Sequence, residues 1–266
     1  HSRSSAHGDW FSNDTFDFLS QHSENAAAVN GMSDPAKPEF DAYASEYDAA
    51  LAEGLSVSGE SKDYFAQGRV DHLAGRLREL QFSPGSVMDF GCGTGTNSPF
   101  LLKLNGVASL LGVDVSESSL NIARRAIPDK RAAFAVLDQY RPDGRYDLVF
   151  TNGVFHHIPP AERAGAIEYI FRTLRPGGLL VFWENNPWNP GTRYVMSRIP
   201  FDRDAIMISA REAQGMIRTG GFDVLRTDFL FIFPKVLGFL RTLEPLLSSF
   251  PFGAQYQLLC RKPVPR

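Results

Sequence analysis

Cysteine is nearly missing from this chain of 266 residues: there are two, Cys92 and Cys260, far apart and without metal-ligand spacing. Neither a disulfide framework nor a zinc site is predicted, and a reducing cytoplasm is the expected setting. Apolar runs long enough to cross a bilayer are missing as well. The nearest candidate, FLFIFPKVLGFL at residues 229–240, is interrupted by Pro234 and Lys235. Neither sign of charge dominates. Lys plus Arg is 27 and Asp plus Glu is 30, a net charge of −3, so nothing electrostatic points to nucleic acid as a partner. The opening residues are polar and lack the apolar core of a secretory signal. Residues 1–38 are read as a leader with Met32 as a candidate start, and 39–266 as one domain without internal repeats. Hydrophobic content of 43% and charged content of 21% suit a globular domain with a substantial core.

What is present is concentrated in VMDFGCGTGTN, residues 87–97. A short apolar stretch runs into Asp89 and then into Gly91, Gly93 and Gly95 at alternate positions. Closely spaced glycines let a backbone turn tightly and let a ligand approach with no Cβ in the way. A second apolar stretch, LLGVDV, ends near Asp114, which is placed to accept hydrogen bonds from ribose hydroxyls if these are the first two strands of a Rossmann-like unit. The nicotinamide fingerprint is a poor match: it needs a third glycine where Thr96 and Asn97 stand, and Asp89 would repel a pyrophosphate. A carboxylate there suits a cationic ligand.

This segment resembles the first motif of the class I S-adenosylmethionine-dependent methyltransferases. The resemblance covers residues 40–262 and is specific as far as Glu184. It implies an α/β fold: a doubly wound, mostly parallel seven-stranded sheet with helices on both faces and an antiparallel last strand between the fifth and sixth. Alternating patterns agree with parallel βαβ units. Strands are expected at 86–90, 109–114, 132–137, 146–152, 179–184, 223–233 and 254–262. Helices are expected at 61–82, 96–105, 117–126, 161–174 and 210–219, with lid helices over 39–82.

In open α/β sheets ligands bind beyond the carboxyl ends of the strands, so those ends supply the candidate site. Asp89, Gly91, Cys92, Gly93, Gly95 and Asn97 are expected around the methionine moiety of S-adenosylmethionine, whose demethylated product is S-adenosylhomocysteine. Asp114 is expected on the ribose, Val115 beside the adenine, and Asp138 and Gln139 at its amino group. Asn152 is expected near the methionine, and Tyr47, on a helical stripe with Phe40, Tyr43 and Leu51, over the cofactor. The fourth strand ends in TNGVFHHIPP; the resemblance favours His157 over His156 as general base, since an imidazole can take a proton near neutral pH. Glu184 is a second candidate. Two further segments are read as substrate-capping: the polar loop 185–209, and 234–253, where Leu237, Leu240, Leu243 and Leu247 suggest an amphipathic helix forming an apolar wall.

The expected reaction is O- or N-methylation of a small molecule, extending through that wall to hydrophobic or lipid-linked acceptors. No metal is demanded, so activity is expected to survive chelators. Two alternatives stay open: a non-catalytic module that binds the same cofactor, and a nicotinamide-dependent oxidoreductase. The sequence carries no signal for oligomeric state.

Overall fold

A computed structural model describes residues 54–55, 58–199, 202 and 205–265. The leader and the 39–51 stripe, Tyr47 included, lie outside the described residues.

Seven strands form one sheet in the order β3-β2-β1-β4-β5-β7-β6. Their bounds are β1 Ser86–Phe90, β2 Ser109–Asp114, β3 Ala132–Val136, β4 Tyr146–Asn152, β5 Leu174–Asn185, β6 Asp223–Leu230 and β7 Gln255–Arg261. β1 to β5 pair in parallel, whereas β7 runs antiparallel between β5 and β6. The central strands are apolar on both faces because helices cover both. Met88, Val149, Leu180 and Phe182 belong to one core cluster, and Val87, Leu148, Phe150 and Val181 to the other.

Helix α1, Lys62–Glu79, begins where the Ser61 hydroxyl accepts from the Tyr64 amide, and buries Ala66, Val70, Leu73 and Leu77. Two polar groups on it lock it over the sheet. Arg76 Nε and His72 Nε2 each lie 3.0 Å from Asp228 Oδ2 on β6. Helices α3, Glu117–Ala126, and α6, Ala210–Thr219, match their expected bounds. α6 opens with a reciprocal capping box between Ser209 and Glu212.

Several expected bounds shift. The helix after the glycine loop, α2, is only Ser98–Leu101; turns follow, through Gly106 at φ +91°. α4 is Arg163–Thr173, and β5 starts at Leu174 rather than 179, because Leu174 already pairs with Tyr146 before a bulge. β6 stops at Leu230, where Phe231 turns to φ +60°. The expected loop 185–209 contains a helix, α5, Pro190–Arg198, started by Asn189 capping the Thr192 amide. The insertion 234–253 is not one amphipathic α-helix. It is a 3₁₀ segment, Lys235–Leu243, irregular at Leu237, followed by a single turn, α7, Glu244–Leu247. Pro245 and Gly238 both weaken a continuous α-helix there.

Candidate active site

The carboxyl ends of β1, β4 and β5 open on a cavity of about 400 Å³. Its floor includes Gly91, Cys92, Gly93, Thr94, Thr96 and Asn97 from the glycine loop, with Asn152, Gly153, His156 and His157 from the turn after β4. The sequence pattern thus brings its first and fourth strand ends together in one wall.

The loop has the geometry a close-lying ligand needs. Gly91 and Gly93 have φ of +70° and +52°, where side chains are strained. A Cβ on Gly91 would overlap Val154, whereas one on Gly93 would meet nothing within 4 Å. Gly91 is therefore glycine for the sake of the protein, and Gly93 leaves room beside the cavity. Asp114 Oδ2 accepts from the Gly93 amide at 2.7 Å and Oδ1 from the Ser116 amide at 2.9 Å, so the carboxylate ending β2 is fixed against the loop. A carboxylate held against an open backbone cradle fits a cationic nucleoside. Val115 is exposed beyond β2, and Asp138 and Gln139 are exposed in a 3₁₀ turn after β3; these three, with Gly95 and Asp114, do not line the cavity.

Asp89 is not in the cavity wall. It lies beneath the loop, 1% exposed, accepting from Ser98 Oγ at 2.9 Å. Burial is the largest influence on it and, with the charge of Asp114, lifts its pKa to about 7 against the opposing Ser98 bond and Arg69. Its effect on a ligand is through its field and its hold on the loop, not through an exposed oxygen. Cys92 is buried and its thiol is pushed well above the ordinary range, chiefly by burial, so it stays uncharged. Asn97 accepts from Arg69 Nη2 at 3.1 Å, and Arg69 Nη1 reaches Gln255 Oε1 at 3.0 Å, which ties α1 to the loop.

The three candidate bases separate sharply. Glu184 is 1% exposed; its Oε1 accepts from the Phe155 amide at 2.8 Å and its Oε2 lies 2.6 Å from His156 Nδ1. His156 Nε2 lies 3.5 Å from Asp202 Oδ1. Burial alone would lower the pKa of His156, but Glu184 and Asp202 outweigh it and raise it to about 10. His156 is thus an imidazolium with both nitrogens engaged, and both Glu184 oxygens are taken. Neither is free to act as a base. His157 is the less buried of the pair, lines the cavity, and has Nε2 3.3 Å from Asp202 Oδ1.

Asp202 was not visible as a site residue in the sequence, where it sits in the run PFDRD, forty-five positions after His157. Burial would raise its pKa, but the two histidines bring it below the ordinary value. The donor atoms of His156, His157 and Asp202 lie within 4.8 Å of one another, close enough to hold one cation.

The cap departs from expectation. Leu240 and Leu243 are not in the cavity wall. Apolar lining comes instead from Phe65, Met196, Ile199, Phe231 and Phe233, while the insertion contributes Pro234 and Arg241. Arg241 Nη2 pairs with Glu60 at 2.9 Å, and its guanidinium lies over Tyr64.

Comparison with known proteins now bears on the identity. A family profile described as a methyltransferase domain matches residues 88–180. A trans-aconitate 2-methyltransferase from Methylobacterium nodulans is 32% identical over 218 residues, covering 74% of this chain and 83% of that one. The chain belongs to the class I S-adenosylmethionine-dependent methyltransferases. A trans-aconitate 2-methyltransferase from Azoarcus sp. is 31% identical over 126 residues, 47% of this methyltransferase and 49% of its own length. Among solved structures, a Thermotoga maritima protein described as a possible histamine N-methyltransferase superposes with a TM-score of 0.58 at 19% identity, covering 84% of this chain and 98% of that one. That likeness concerns the fold. The cofactor of this methyltransferase is S-adenosylmethionine, and the glycine cradle with the Asp114 carboxylate fits it.

Proposed function

We propose that the chain methylates an oxygen or nitrogen of a small acceptor with apolar bulk, and that His157 removes the acceptor's proton. The observation that supports this is the shared cavity wall: His157 and the glycine loop border the same space. When bound, S-adenosylmethionine supplies a methyl group made electrophilic by the positive sulfur. The protein's own contribution is alignment, exclusion of water and proton removal.

Gly91, Gly93, Gly95, Asn97 and Asn152 are assigned to the amino-acid end of the cofactor, Asp114 to its ribose, and Val115, Asp138 and Gln139 to its base. Asp202 orients His157 and stabilises the positive charge it acquires on taking a proton. His156 and Glu184 brace the turn that carries His157. Phe65, Met196, Ile199, Phe231 and Phe233 enclose the acceptor and shield the reacting atoms from water.

A second reading rests on the relatives' names. Lys62 and Arg241 border the cavity, which suits the carboxylates of a small organic acid such as trans-aconitate. Chemistry separates the two, because a carboxylate nucleophile has no proton to lose. The experiment is a panel of hydroxy, amino, lipid-linked and carboxylate acceptors, scored by S-adenosylhomocysteine release with the native chain and His157→Asn. Turnover of hydroxy or amino acceptors that collapses in the variant supports the first reading. Turnover of trans-aconitate that survives in the variant supports the second.

A further inference from the structure

The insertion between β6 and β7 turns most of its apolar side chains outward. Val236, Phe239 and Leu246 are 81%, 74% and 76% exposed, and Leu243, Phe250 and Phe252 are also exposed. No side chain of Lys235–Leu243 or Glu244–Leu247 is buried. The rings of Phe250 and Phe252 stack on one another, 6.0 Å apart and 10° from parallel. Contiguous apolar exposure of this kind marks a surface that is covered in use.

The exposed charge of the insertion is basic, and the acid Glu60, just before α1, is taken up by Arg241. Glu244 is the single acid between residues 234 and 253, and its Oε1 is turned back to accept from the Phe233 amide at 3.0 Å. Lys235 is exposed. The neighbouring segment is bonded to the insertion: Asn189 Nδ2 donates to the Phe252 carbonyl at 2.8 Å, and Asn186 Nδ2 to those of Pro251 and Gly253. That segment exposes Trp188, Arg193, Tyr194 and Arg198, and residues 185–201 contain no acid. An aliphatic and phenylalanine centre, flanked by exposed Trp188, Tyr194, Lys235, Arg193 and Arg198, matches the chemistry of a lipid interface.

We propose that this face docks on an anionic bilayer surface. Phe239, Leu246, Phe250 and Phe252 enter the interfacial layer, and Lys235, Arg193 and Arg198 meet the headgroups. Both docking segments also wall the cavity, through Pro234 and Arg241 on one and Asn189 and Thr192 on the other. A membrane-held acceptor would therefore enter without leaving the lipid. That consequence rests on the acceptor reading above; the docking does not.

The test is flotation of the full chain with phosphatidylcholine vesicles, with and without phosphatidylglycerol, needing neither cofactor nor acceptor. The expected result is flotation with phosphatidylglycerol vesicles that weakens as salt rises. The double variant Phe239→Ser/Leu246→Ser is expected to lose at least about tenfold in partitioning, with Tm and S-adenosylhomocysteine affinity unchanged. Failure of the native chain to float overturns the proposal, as does equal flotation of the variant. Equal flotation without phosphatidylglycerol overturns it too. So does a native dimer in sedimentation that the variant converts to monomer, since a second copy would then be the occupant. None of these outcomes bears on methyl transfer.

Discussion

The glycine-loop side of the cavity and its cap are built on different principles. On the first side, function resides in backbone: amides and φ angles over residues 89–97, pinned by Asp114 on the adjacent strand. On the second, it resides in side chains drawn from distant segments, with Phe65 on α1, Met196 on α5, and Phe231 and Phe233 after β6 in one wall. A backbone cradle tolerates little change because each position has its own dihedral requirement. A side-chain wall tolerates more, because volume can be shared among neighbours. His157, the proposed base, lines the same cavity.

The largest effects are expected in the cradle. Gly93→Val should lower cofactor affinity at least about 100-fold by calorimetry; both it and Gly91→Val should lower Tm through backbone strain, Gly91→Val further because its side chain also meets Val154. Equal affinity in Gly93→Val and the native chain would break the contrast between cradle and cap. Next is His157→Asn, expected to reduce kcat for hydroxy or amino acceptors by about 10²–10⁴ with cofactor affinity preserved. An undiminished kcat would remove the base assignment.

His156 gives a stability effect with a definite pH window. Its folded pKa of about 10 lies above the ordinary 6.5. The folded state therefore holds the proton more tightly, and the stabilisation is complete below about pH 6.5 and lost as pH rises through 10. His156→Gln, which leaves Glu184 buried without its cation, should cost about 3–5 kcal/mol at neutral pH and flatten the decline in stability between pH 6.5 and 10. A native chain equally stable across that window would contradict the buried ion pair.

A smaller effect sharpens the cap. Met196→Ala should raise the KM of an apolar acceptor about tenfold, the value of roughly one lost buried contact, whereas Leu240→Ser/Leu243→Ser should leave KM unchanged. The reverse order would restore the amphipathic wall read from the sequence. The smallest expected effect is none: treatment with EDTA should leave turnover and Tm unaltered, because His156 supplies the cation beside Asp202. Loss of turnover restored by a divalent metal would show that His156, His157 and Asp202 act as ligands instead.

Local sequence made the strand positions and the glycine cradle legible, because each depends on residues within a few positions of one another, whereas the place of the antiparallel last strand came from the family resemblance. A β-strand followed by three spaced glycines has few conformations open to it, and strand patterning recurs every two residues. The cap was not legible in this way. Apolar spacing over 234–253 reads as a helix stripe, but it does not say which side faces the protein. The fold turned Arg241 inward and Phe239 outward.

The sequence by itself determined the class of fold, the cofactor and the positions of the strand ends proposed to hold it. Tertiary structure alone decided that Glu184 and His156 neutralise one another, that Asp202 meets His157, and that the cavity's apolar wall comes from α1, α5 and the end of β6. The physical reason is the range of the forces. Dihedral preference and strand periodicity act over neighbouring residues, whereas burial and charge pairing depend on groups that only folding brings within a few ångströms.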